Sequence, residues 1–91
     1  MLAIKTKTGI VNFDVIETIE ISDCTTEENG PYFYITAKSK PYGYHPVSRE
    51  LTRSYYTLYE SDSINKVNCV MNDIVNAIYN NVPVFDCSKF E

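Results

Sequence analysis

The chain has 91 residues, a formal net charge of −4 and 44% hydrophobic residues. That length suits one domain, and a chain this short buries only about 60% of its unfolded surface, so one well-filled layer must carry its stability. Three cysteines with no C-x-x-C pair argue against a disulfide scaffold, no apolar run is long enough for a transmembrane helix, and the acidic balance argues against non-specific nucleic-acid binding.

The charge is uneven. Residues 1–30 hold two cations against six acids, residues 31–59 four cations against one acid, and residues 60–91 two cations against five acids. The chain does not open on a basic region followed by an apolar run, so reduced thiols in a cytoplasm are the expectation.

Residues 2–7 alternate, with Leu2 and Ile4 apolar, and Thr8-Gly9 reads as a turn in which glycine supplies a positive φ. Residues 10–13 return as a second strand. After a break at Asp14, residues 15–22 resume with Ile19 and Ile21 on one face and Glu20 on the other, a strand with one wet side. Residues 23–31 hold acids, Asn-Gly and Pro without an apolar pattern, and read as a mobile, solvated loop. Residues 32–38, rich in aromatic and β-branched side chains, give the clearest strand, with Phe33, Ile35 and Ala37 facing the core and Tyr32, Tyr34 and Thr36 facing away.

Two prolines and a glycine make residues 39–51 a long loop. A further strand runs from residue 51 or 52 to 60, with Tyr56, Leu58 and Glu60 alternating against Tyr55, Thr57 and Tyr59. Residues 62–81 form the helix, capped by Asp62 or Ser63 and stopped at Asn80-Asn81 before Pro83. Ile64, Val67, Met71, Ile74 and Ile78 recur at steps of three and four along its apolar stripe, flanked by Val70 and Val75. Residues 82–91 read as a tail or a short edge strand. The expected fold is therefore α+β: an antiparallel β-meander of about five strands with one C-terminal amphipathic helix packed on one face.

Two segments carry a resemblance. Residues 4–21, IKTKTGIVNFDVIETIEI, and residues 58–78, LYESDSINKVNCVMNDIVNAI, resemble the hairpin start and the Asp-Ser-capped closing helix of small uncharacterised proteins of low-GC Gram-positive bacteria and their phages. The resemblance covers under half of the chain and implies a sheet-plus-helix domain, often encoded on phages or mobile elements. It names no activity. The chain departs from it at residues 39–54, where relatives need only a short turn, and after the cap, where Ile-Asn-Lys replaces the acids that a helix dipole favours.

Catalytic signatures are missing from the sequence. His45 is the sole histidine and sits in the loop, where a solvated side chain is the simplest reading. Cys24, Cys69, Cys87 and His45 would have to converge from distant segments to hold a metal, and the three glycines are isolated, so no phosphate-cradling loop exists. No cofactor is expected.

The unusual composition is KPYGYHPVSRELTR. Lys38, Lys40, Tyr42, Tyr44, His45, Arg49, Arg53 and Tyr55 mix planar rings with cations and form the candidate partner-binding set. Tyrosine and arginine dominate protein interfaces, and the same residue types stack on bases and neutralise phosphates. A plainly structural alternative is a long hairpin loop whose tyrosines pack back on the sheet. A second odd surface is the outer helix face, with Asn65, Asn72, Asn76 and Asn80 beside Cys69 and Asp73; asparagine disfavours helix, so this is either a contact face or codon bias.

The sequence thus points to a small non-enzymatic binding protein, acting by stoichiometric contact with another protein. Its most concrete form is a phage- or mobile-element-encoded inhibitor of a host defence system, anti-CRISPR proteins included, with acidic surfaces occupying a nucleic-acid channel. The alternatives are a nucleic-acid-binding accessory protein using residues 38–55 and a homodimer built on an unpaired sheet edge. No membrane partner is expected.

Overall fold

The computed structural model describes residues 2–7, 9–44 and 46–89. Among these residues, eight short strands and one α-helix make an α+β structure of two three-stranded sheets and a two-stranded ribbon. The strands are β1 (Ala3–Lys5), β2 (Ile10–Asn12), β3 (Ile16–Asp23), β4 (Phe33–Ser39), β5 (Gly43–Tyr44), β6 (Leu51–Thr52), β7 (Tyr55–Ser61) and β8 (Val84–Asp86); the helix α1 is Ile64–Tyr79.

The expected meander of five strands divides. β3, β4 and β7 form an antiparallel sheet, while the N-terminal hairpin β1–β2 joins β8 in a second sheet, with β1 parallel to β8. A turn of 3-10 helix at Phe13–Val15 separates the two, capped by the Asn12 side chain, which accepts from the Asp14 N–H at 2.9 Å. The first reversal is closed by Thr6, whose N–H and hydroxyl both donate to the Gly9 carbonyl. Gly9 does not take the left-handed conformation expected of it, and Thr8 lies outside the described residues; the left-handed glycine is Gly30, at φ 73°.

Residues 23–31 form a closed turn instead of an open loop, since Thr26 and Gly30 exchange backbone hydrogen bonds and the Cys24 N–H donates to Tyr32. Two irregularities refine the pleat. The register shifts at Glu17, which keeps Ile16 on the core side three residues before Ile19. It shifts again at Leu58, where Tyr59 falls opposite Ile35, so Tyr59 packs on the core and Glu60 pairs with Tyr34 on the outer face. Strict alternation had placed these two the other way round.

The helix packs on β4 and β7, with Val67, Val70 and Ile74 against Ile35, Ala37 and Leu58 in one buried cluster. Its buried residues are Val67, Val70, Ile74 and Ala77, while Met71 is half-buried and Ile64, Val75 and Ile78 are exposed. The contact stripe is thus rotated by roughly 60° from the one drawn through the bulky residues, at 100° per residue. In the last turns the small Ala77 takes the buried position and its bulkier neighbour Ile78 is exposed.

Ser63 is the cap, its hydroxyl accepting from the Lys66 N–H. The helix ends in a Schellman arrangement: Val82 N–H donates to Ala77 and Asn81 N–H to Ile78, with Asn81 left-handed at φ 58°. Pro83 follows, and β8 then takes the edge-strand alternative beside β1. A 3-10 turn, Cys87–Lys89, brings the Cys87 side chain into the core.

Candidate functional site

The ladder between β4 and β7 does not stop at Ser39. It continues, bent, into β5 and β6, so residues expected as loop form a projecting two-stranded arm. Leu51 and Thr52 belong to this arm rather than to β7, because the backbone breaks at Arg53 and Ser54. Paired strands of two residues each have little stability of their own. The base of the arm supplies it.

Ser39 is buried at the bend. Its N–H donates to the Ser54 carbonyl at 2.9 Å, its hydroxyl accepts from the Ser54 N–H at 2.8 Å, and the same hydroxyl donates to the Lys40 carbonyl at 3.0 Å. Lys40 N–H reaches back to the Val15 carbonyl at 2.7 Å. Arg53 Nη1 bridges Glu17 Oε2 at 2.7 Å and the Ser39 carbonyl at 3.4 Å. The arm is therefore pinned to β3 and β4 through polar contacts at its base.

Beyond this clamp the side chains face water. Tyr42 is 67% exposed, Tyr44 72% and Val47 86%, and Leu51 is also exposed; Tyr55, at the foot of the arm, is exposed as well. Tyr44 pairs with Leu51 across the ribbon, and Tyr42 lies two residues from Tyr44 on the same side. The tyrosine hydroxyl of Tyr42 accepts from Ser54 Oγ at 3.4 Å, which steadies one ring without covering it. At the tip Arg49 holds φ 59°, a left-handed conformation that costs a non-glycine residue about 1 kcal/mol or more.

The candidate residues thus fall into three places. Tyr42, Tyr44 and Arg49 belong to the arm with Lys40 at its start; Arg53 is committed to the clamp; Lys38 and Tyr55 pair on the outer sheet face at the foot of the arm. His45 lies outside the described residues. Sequence reasoning missed Val47 and Leu51, apolar residues within a loop composition, and the anchors Ser39 and Glu17, which carried no local signal.

Among the described residues no helix or second sheet lies over the outer face of the β3–β4–β7 sheet. Its rows are Thr18–Lys38–Tyr55, Glu20–Thr36–Thr57 and Ser22–Tyr34–Glu60. Tyr32 and Tyr34 meet edge to face at 5.1 Å, and partial desolvation with the Glu60 carboxylate raises the Tyr32 phenol above its ordinary pKa. Thr18 Oγ1 is buried there without a hydrogen-bond partner, and nothing in the structure explains it.

Cys24 and Cys69 are exposed and Cys87 is buried, and among the described residues no three His, Cys, Asp or Glu side chains gather as a metal set. No helix among them is long and apolar enough to cross a membrane. No protein-family model, curated protein or solved structure matches this chain.

Proposed function

We propose that the protein is a non-catalytic binding module that grips another protein with the β5–β6 arm. One observation carries this reading: two tyrosines, a valine and a leucine stand in water on an arm whose folding depends on polar anchors at its base, with a third exposed tyrosine, Tyr55, at its foot. Large apolar side chains held out on a positioned hairpin do not support the core, and they match the aromatic anchors found at interface centres. Lys40 and Arg49 flank them on an otherwise acidic protein, which favours a partner surface combining an apolar groove with carboxylates. Arg53 is engaged by Glu17, so fewer cations are free for phosphates than the composition offers, and a protein partner is the reading we adopt over nucleic acid.

In its most concrete form the partner is an enzyme of a host defence system, and the protein a stoichiometric inhibitor encoded by a phage or mobile element. That version rests on the small size, the acidic ends and the resemblance of the hairpin and capped helix. Tagged protein expressed in its native host tests the reading. Co-purification of one protein in fixed ratio is expected, and recovery of free protein alone at micromolar concentration would count against it.

A further inference from the structure

The helix carries more apolar surface than its own sheet takes up. Ile64, Val75 and Ile78 are exposed and Met71 is only half-buried. At about 100° per residue these four fall on one stripe, roughly 90° round the helix from its buried face. Lys66 shares a groove with β7 and marks the β7 side of the helix; the stripe lies roughly 150° round from it, on the β3 side. There the sheet is incompletely covered, since α1 packs on β4 and β7 while Ile19 and Ile21 of β3 are half-buried. Helix flank and β3 together bound one apolar surface. Its lack of charge is a second observation. Lys66 and Asp73 are the only charged residues of α1, and both lie far round from the stripe. Beyond the stripe the exposed helix surface holds asparagines, Cys69 and Tyr79, the last 88% exposed. Loss of charge with methionine and an aromatic present marks the core of an interface rather than a solvated face.

We infer that α1 pairs antiparallel with the α1 of a second copy of this chain along that flank, over the open side of β3. The symmetry of the stripe selects this occupant. Ile64 lies seven residues before Met71 and Ile78 seven after, so a two-fold axis at Met71 sets Ile64 of each copy beside Ile78 of the other. The antiparallel sense also places each helix N-terminus by the other's C-terminus, which opposes the two macrodipoles. Charge favours the same face. Two copies of a chain of net charge −4 repel one another, and they approach at least cost where neither presents a charge. An unlike partner would need an equally uncharged stripe of matching spacing, which this chain already supplies to itself.

Sedimentation of the full chain from micromolar to millimolar concentration tests the pairing, and a monomer–dimer equilibrium is expected. Val75→Lys should weaken it at least tenfold by bringing a charge into the contact. Val75 stands outside the buried cluster and lysine forms helix better than valine, so the melting temperature should hold. Lysine also lowers the net negative charge, so general repulsion cannot account for a weaker dimer. Disulfide cross-linking supplies the second readout, with the exposed Cys24 and Cys69 both changed to serine. Chains bearing Ile64→Cys should cross-link to chains bearing Ile78→Cys faster than either links to itself. A wild-type chain that stays monomeric at millimolar concentration would overturn the inference. So would an undiminished dimer of folded Val75→Lys, or like-with-like cross-links formed as fast as the mixed one. Tyr44→Ala should dimerise as wild type does, so failure of the arm and failure of this pairing are separable.

Discussion

Burial sets the chemistry of the three cysteines apart. Cys24 and Cys69 stand in water, whereas Cys87 is 2% exposed and its thiol is pushed up from an ordinary 9.0 to about 11, first by desolvation and then by the neighbouring Asp86 carboxylate. Alkylation of the native protein should therefore add two adducts rapidly and a third only on unfolding, as read by intact mass. The pH consequence has a definite sign. The folded state keeps the Cys87 proton that the unfolded chain releases, so this contribution to stability is whole below about pH 9 and is lost between about pH 9 and 11. The gap in melting temperature between wild type and Cys87→Ala should narrow from pH 8 to pH 11; a constant gap would contradict the assignment. At the base of the arm, Ser39→Ala strips the Ser54 N–H of its acceptor, and a part-buried donor left unmatched costs about 1–3 kcal/mol, measurable by denaturant titration.

At the scale of elements, the helix shows what hydrophobic periodicity tells and what it leaves out. Its existence, a cap at Asp62 or Ser63 and its stop at Asn80-Asn81 follow from the residues, because spacing and end signals are local, and the structure selects Ser63. The rotation of its face was not legible, since counting bulky apolar residues gives Ile78 more weight than Ala77, whereas Ala77 is the one that is buried. Ile74→Ala should thus destabilise by about 2–5 kcal/mol and Ile78→Ala by well under half of that, by chemical denaturation. Equal losses would restore the bulky stripe. The strands behave alike: β4 and its core face were readable from alternation, but the extra residues at Glu17 and Leu58 carry no sequence mark, and the second of them exchanged the faces of Tyr59 and Glu60. The arm was half legible. Its odd composition was visible, but its strands of two residues were too short to produce a pattern.

For the whole molecule, the pairing of β8 with β1 joins the two ends of the chain and gives the N-terminal hairpin a sheet of its own. That parallel contact spans most of the sequence, and no local pattern announces it, which is why a meander of neighbours was the natural expectation. The result is flat, 40 × 38 × 21 Å, with a radius of gyration of 14.4 Å against about 12 Å for a compact chain of this length. One helix covers one face of the β3–β4–β7 sheet. The central claim is that the arm serves contact and not folding. Its most direct test compares wild type with the triple variant Tyr44→Ala, Val47→Ser, Leu51→Ser for recovery of the co-purifying protein from the native host, with melting temperature measured on the same samples. The account predicts that the partner is lost while the melting temperature falls by no more than about 12 °C, as three exposed substitutions of up to roughly 0.5 kcal/mol each imply. Undiminished recovery of the partner by the folded variant, or unfolding of the variant itself, would contradict it.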